Sequence, residues 1–221
     1  MSLLTLSNVS YYYNNSETPA VADVSCSFDP GKLYAIVGPS GSGKSTLLSM
    51  MAGLDRPAEG SIAFDGQNLE NLDMDQYRRE SISMIFQAFQ LFPLLTVLEN
   101  VCYPMELCNV KPAEARPRAK KLLESVGIKQ EQMKRFPAHL SGGEQQRVAI
   151  ARSLATGAKL ILADEPTGNL DVANSKNVMD ILHSLAHNQG YCIIVVTHDM
   201  EIAKAADIVF RMKDGVLTQM P

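Results

Sequence analysis

The chain has 221 residues, 46% of them hydrophobic and 20% charged, the proportions of an ordinary globular protein. That length suits one large domain, or one core carrying an inserted subdomain. Its net charge of -4 argues against sequence-independent nucleic-acid binding, which needs a basic face to neutralise phosphates, so no nucleic acid is expected among its partners.

From the N-terminus, Met1–Tyr13 has neither a positively charged start nor a continuous apolar stretch, and does not read as a secretory signal. The first ~30 residues, and Gly60–Asp65 beyond them, alternate polar and apolar side chains between turn formers and predict an antiparallel sheet. Asn-x-Ser triplets begin at Asn8 and Asn14, which carry no weight in a cytosolic chain. Strand-like apolar runs occur at Leu33–Val37, Ser83–Phe86, Leu160–Ala163, Cys192–Thr197 and Ile208–Met212, with helical patterns between several of them. Such alternation predicts an α/β fold around a largely parallel sheet. Residues from about 87 to 155 read as mostly helical, with one helix from about Pro117 to Val126 stopped by Gly127. The basic cluster Arg116, Arg118, Lys120 and Lys121 reads as a solvated face of that helix. The longest apolar stretch, Phe89–Leu98, is broken by Gln90, Pro93 and Thr96, and no run approaches the ~18 residues that span a bilayer. Any membrane role must therefore come through a partner. Cys26, Cys102, Cys108 and Cys192 stand far apart without a CxxC pair and read as reduced thiols.

Three segments carry chemistry. Gly38–Thr46 (GPSGSGKST) follows an apolar strand and opens a helical stretch, Thr46–Ala52, the context a phosphate-binding loop requires. Its glycines let backbone N–H groups curl around phosphate oxygens, and the helix N-terminus adds positive potential. Lys44 is suited to reach β- and γ-phosphates and the Ser45 hydroxyl to bind Mg²⁺. Later in the chain, the apolar run Leu160–Ala163 delivers Asp164 and Glu165 to a strand end, where α/β sheets bind ligands. Asp164 suits Mg²⁺, and Glu165 suits a general base that polarises water. Third, Leu140–Arg147 (LSGGEQQR) puts Ser141, Gly142 and Gly143 at the start of an amphipathic helix, a second anion site. One phosphate loop already saturates one triphosphate, so this second site asks for an explanation.

With the other two motifs, Leu140–Arg147 resembles the signature of the ABC ATPase family, and the resemblance covers essentially the whole chain. It implies a P-loop NTPase core with a mainly parallel sheet, an N-terminal antiparallel β subdomain and an inserted helical subdomain. Residues 1–86 and 156–221 would form the nucleotide-binding core with its β subdomain, and about 87–155 the helical subdomain. The implied cofactors are ATP and Mg²⁺, with Gly38, Ser40, Gly41, Gly43, Lys44, Ser45 and Thr46 around the phosphates. Gln87 resembles the glutamine that senses Mg²⁺ and the attacking water, and His198 the histidine that contacts the γ-phosphate. Gly168–Asp171 resembles the loop that touches the opposite subunit. Tyr13 resembles the aromatic residue that stacks on adenine, with Tyr11 and Tyr12 as rivals. His183 and His187, spaced i, i+4, have no third metal ligand in view and read as exposed helix residues; His139 reads as structural.

In this family the signature of one subunit closes over ATP held by the other. The resemblance thus implies a head-to-tail ATP-sandwich dimer of two copies. It also implies an integral membrane permease subunit that holds the chain on the cytoplasmic face of the cell membrane. Apolar residues of Gln87–Val97 offer that partner a groove for a short helix. Phe86–Val101 and Leu162–Asp171 resemble the branch serving macrolide, lipoprotein, haem and antimicrobial-peptide export. The alternative is the similar force-transmitting ATPase of cell division, which does not transport. A chromosome-maintenance ATPase would place hundreds of heptad residues between Lys44 and Ser141, and a translation-factor relative would usually carry two cassettes.

Overall fold

The computed structural model describes residues 2–13 and 16–221, so the triplet at Asn14 lies outside the described residues. Strands β1 (Leu4–Tyr11), β2 (Val21–Phe28), β4 (Glu59–Phe64) and β5 (Gln67–Asn68) form an antiparallel sheet in the order β2-β1-β4-β5. A second sheet has the order β10-β9-β3-β8-β7-β6. Its members are β3 (Leu33–Val37), β6 (Ile82–Phe86), β7 (Leu160–Asp164), β8 (Cys192–Thr197), β9 (Ile208–Lys213) and β10 (Val216–Gln219). All its pairings are parallel except β9 with the edge strand β10. Strand β9 matches the predicted run Ile208–Met212, whereas β10 has no counterpart in the sequence reading, because it is short and mostly exposed and leaves little hydrophobic pattern.

Helix α1 (Lys44–Met51) follows β3 and begins two residues before the predicted stretch, at the lysine itself. A short α2 (Met74–Gln76) runs into a π-helical turn at Tyr77–Ser81, whose Tyr77 hydroxyl donates to the carbonyl of Met51 at 2.8 Å. Then come α3 (Val97–Leu107), α4 (Pro112–Ser125) and α5 (Gly142–Ser153) between β6 and β7, α6 (Val172–Gln189) between β7 and β8, and α7 (Met200–Ala203). The helix expected from Pro117 starts earlier. Pro112 occupies its first position, where a missing N–H costs nothing, and Pro117 lies inside on the exposed face, where water can serve the carbonyl it leaves unpaired. Its predicted end is right. Gly127 at φ 77 turns the chain, and the N–H groups of Gly127 and Ile128 close back on Glu124 and Leu123 at 3.0 and 2.9 Å.

The central strands are apolar throughout because both faces are covered. Ile161, Ala163, Ile193 and Val195 face a core shared with α3–α6, which includes Val101, Leu123, Val148 and Leu182. Leu160, Leu162, Cys192, Ile194 and Val196 face the other way, onto α1 and the antiparallel sheet. Successive side chains of a strand point to opposite faces, so β7 and β8 staple the two cores together. Leu162 is fully buried in the second core. Leu162→Ala is expected to cost about 2–5 kcal/mol in chemical denaturation; a loss below about 1 kcal/mol would contradict this packing.

Candidate functional site

The ends of β3, β8 and β7 lie side by side. Val37 pairs with Thr197 across one junction, and Asp164 pairs with Val196 across the next. These strand ends deliver the phosphate loop, His198 and the Asp164–Glu165 pair to one edge of the sheet. They border an open cleft of about 730 Å³ lined by Tyr13, Ala20, Pro39, Ser40, Gly41, Gly43, Lys44, Ser45, Thr46, Glu165 and His198.

Within the loop, Gly43 caps α1 at φ 100, and a Cβ there would stand 2.1 Å from the carbonyl oxygen of Ala20. Only glycine fits both the backbone angle and the space. The β9–β10 turn braces the loop from behind: the N–H of Gly215 donates to the Ser42 carbonyl at 3.2 Å. Lys44, 7% exposed, donates from Nζ to the carbonyls of Gly38 and Pro39 at 2.8 and 2.9 Å, so its ammonium folds across the loop. The Ser45 hydroxyl lies beside the Asp164 carboxylate. Burial is the main cause raising the Asp164 pKa above the ordinary 3.8 and the Glu165 charge adds to it, with Ser45 and Lys44 opposing. Ser45 and Asp164 offer adjoining hard oxygen donors, the set that suits Mg²⁺.

Glu165 sits at φ 47, a left-handed angle that is rare outside glycine and strained at a functional turn. Its N–H is held by the Val196 carbonyl at 2.9 Å, and Oε1 meets His198 Nδ1 at 2.9 Å. The Glu165 side chain is 17% exposed and that of His198 68%, so the imidazole stands over the carboxylate on the open side. Of the three neighbouring tyrosines, Tyr13 borders the cleft, with its hydroxyl 2.7 Å from Thr46 Oγ1. Tyr11 packs on the edge of that ring at 5.2 Å.

Gln87, Ser141, Gly142, Gly143 and Asp171 do not line this cleft; they gather in a second patch. The Gln87 amide contacts Asn169 Oδ1 at 3.4 Å, and Asn169 Nδ2 donates to the Gln87 carbonyl at 3.0 Å. The structure therefore seats Gln87 on the Asn169 loop, one residue beyond Phe86, which pairs with Asp164. Ser141 caps α5 in a reciprocal pair with Glu144. Asp171 caps α6 and accepts from the backbone and side-chain amides of Asn174, both at 2.8 Å, and these bonds hold its carboxyl below its ordinary pKa. A Cβ on Gly143 would stand 2.1 Å from Asn174 Oδ1, so the signature glycines and the start of α6 pack face to face. Among residues not singled out from sequence, Ala20 and Gly215 shape the loop from distant segments, and Asn174 joins the two capped helices. Local sequence carries no signal for those contacts. His183 and His187 lie on the exposed side of α6, where His187 Nε2 meets Asp207 Oδ1 at 3.0 Å.

A strand, a glycine-turned phosphate loop and a helix, flanked by an acid pair on a parallel strand, define a phosphate-loop nucleotide-binding protein. A family model described as ABC transporter matches residues 21–168. The chain is 43% identical over 218 residues to an uncharacterized ABC transporter ATP-binding protein, YclH of Bacillus subtilis, covering 99% of this chain and 96% of that protein. Among solved structures it resembles the dimeric bacterial ABC transporter cassette MJ0796, with a TM-score of 0.87, 37% identity and 99% of each chain covered. The same cassette is known in a dimeric post-hydrolysis state bound to ADP and Pi. CbiO1 of Clostridium perfringens, part of the ABC transporter complex CbiONQ, matches with a TM-score of 0.90 and 31% identity over 98% of this chain and 87% of that one. The chain belongs to the ABC transporter family and has the ABC ATPase fold.

The raised Asp164 pKa means the folded state resists that carboxylate's charge, so its contribution to stability falls as pH rises above 3.8. Without divalent ions, Asp164→Asn is expected to melt at a higher temperature than the parent at pH 7, with the gap closing toward pH 3.8; equal melting at pH 7 would contradict the burial penalty.

Proposed function

We propose that the chain is the ATP-hydrolysing subunit of a membrane transporter, acting as a dimer that closes on two ATP molecules and drives a separate permease. The single observation that carries this reading is the cleft, where phosphate loop, acid pair and histidine converge from three strand ends. Backbone N–H groups of the loop, Lys44 and the α1 N-terminus bind the triphosphate, with Ser40, Ser45 and Thr46 lining its path. Tyr13, at the far side beside Thr46, stacks on the adenine. Ser45 and Asp164 hold Mg²⁺, which when bound neutralises charge on the phosphate oxygens. Glu165 accepts the proton of the attacking water, and His198 orients Glu165 and contacts the γ-phosphate.

The second patch supports the dimer. Ser141, Gly142 and Gly143 present a helix N-terminus that the chain's own cleft does not use, and Asp171 lies beside them. In a head-to-tail pair this N-terminus closes over the partner's ATP. The described dimer of MJ0796 is in keeping with that arrangement. Gln87 senses the nucleotide on closure, leaving its contact with Asn169.

Coupling to a permease has a surface to work through. A groove of about 370 Å³ is lined mainly by apolar residues, among them Leu54, Phe92, Tyr103 and Leu107. Phe92 packs edge-on to Tyr103 at 4.9 Å, and Leu94 is 88% exposed beside it. In contrast, Val97 and Leu91 pack into the helical core, so only part of Phe89–Val97 is free to meet a partner. Among the described residues no helix is long and apolar enough to cross a membrane, so the permease supplies the spans and holds the subunit at the cytoplasmic face. CbiO1, part of a multi-subunit transporter complex, supports the division of labour. The cargo assigned is that of the export branch: haem, antimicrobial peptide, macrolide or lipoprotein.

Glu165→Gln is expected to bind ATP as tightly as the parent, lose turnover by about a hundredfold or more and accumulate as a dimer in size-exclusion chromatography with ATP. Normal hydrolysis by this variant would remove the general-base assignment. Phe92→Asp should keep ATP affinity and folded structure while losing co-purification with the membrane partner; retained partner binding would remove the groove from the interface.

A further inference from the structure

Gln146 is fully buried in the middle of α5, one turn after Gly142 and Gly143. Its Nε2 donates to the carbonyl of Pro166 at 2.7 Å, while Oε1 is buried with no hydrogen-bond partner. The acceptor character of that carbonyl fixes which way the amide points. A buried amide that leaves its own oxygen unsatisfied is a poor choice for packing alone, since an apolar side chain of the same size would fill the space without the penalty.

What the amide grips is informative. Pro166 directly follows Glu165, and a residue before proline is normally confined to extended backbone. Glu165 instead stands at φ 47. Its turn is pinned at three points: the Glu165 N–H to Val196, the Glu165 carbonyl by the Gly168 N–H at 3.0 Å, and the Pro166 carbonyl by Gln146. The first two anchors come from β8 and from the turn itself. Gln146 supplies the third from the helix that carries the signature.

We infer that Gln146 is a positioning residue that holds the strained Glu165–Pro166 turn so that the Glu165 carboxylate faces the water to be activated. This rests on the reading of Glu165 as general base. It also gives one helix two tasks. The N-terminus of α5 serves the partner's ATP, and one turn later its Gln146 sets the catalytic turn of its own chain. A shift of α5 as the dimer closes is thereby felt at Glu165.

The test is steady-state hydrolysis by the full-length chain carrying Gln146→Met or Gln146→Leu, which keep the volume and remove the donor. Both should remain folded, with melting temperature within a few degrees of the parent, because removing the unpaired buried oxygen offsets the loss of the donor to the Pro166 carbonyl. At saturating ATP, kcat should fall on the order of tenfold to a hundredfold with KM for ATP unchanged, as a misplaced catalytic group predicts. In a Glu165→Gln background the added Gln146→Met should cause no further loss and leave ATP-dependent dimerisation intact. Turnover within twofold of the parent, an equal loss through KM, or failure of both variants to fold would each overturn the inference. Absence of hydrolysis by the unsubstituted chain would instead remove the reading on which it rests.

Discussion

The parallel pairing of β3, β8 and β7 is the constraint on which the site depends. In-register pairing brings Val37, Thr197 and the Val196–Asp164 step to the same edge of the sheet. Residues far apart in sequence thereby become neighbours across spacings fixed by backbone hydrogen bonds. The register is itself enforced by burial. A one-residue slip of β7 would exchange Leu160 and Leu162 with Ile161 and Ala163 between two differently shaped cores and move Asp164 off the edge. Core packing and site geometry are therefore one requirement.

The site is built at a cost in local stability. Asp164 is a carboxylate in a place that resists its charge, Glu165 is in a left-handed conformation before a proline, and the buried oxygens of Ser42 and Gln146 lack partners. Such groups concentrate where charge and shape must be ready before the ligand arrives. The apolar strands beneath them offset this cost, since β7 and β8 are almost wholly buried on both faces.

Helix α5 joins the parts of the molecule. Its first turn packs on the start of α6 through Gly143 and Asn174, and Gln146 reaches the Pro166 carbonyl. At its last turn Arg152 donates to the carbonyls of Phe89 and Gln90, two residues with positive φ that open the exposed apolar segment. Burial lowers the Arg152 pKa. One helix thus touches the signature patch, the Glu165–Pro166 turn and the surface proposed for the membrane partner.

Much of this was legible in the sequence, for reasons that are local. The phosphate loop needs a strand, glycines and a helix start in succession, so Gly38–Thr46 announces itself. The acids Asp164 and Glu165 end an apolar run, and a signature of serine and glycines opens a helix. Strands β3, β7 and β8 show because burial on both faces demands nearly unbroken apolar runs. The true start of α4, the edge strand β10 and the bond from the Tyr13 hydroxyl to Thr46 did not show. Each depends on what lies opposite in space: solvent beside Pro117, β9 beside β10, and Thr46 beside Tyr13. Tertiary structure alone also decided that the signature glycines and Asp171 do not line the cleft, and that Gln146 grips the Glu165–Pro166 turn. Spacing along a chain records which groups are present; only the packed sheet and helices determine which of them meet.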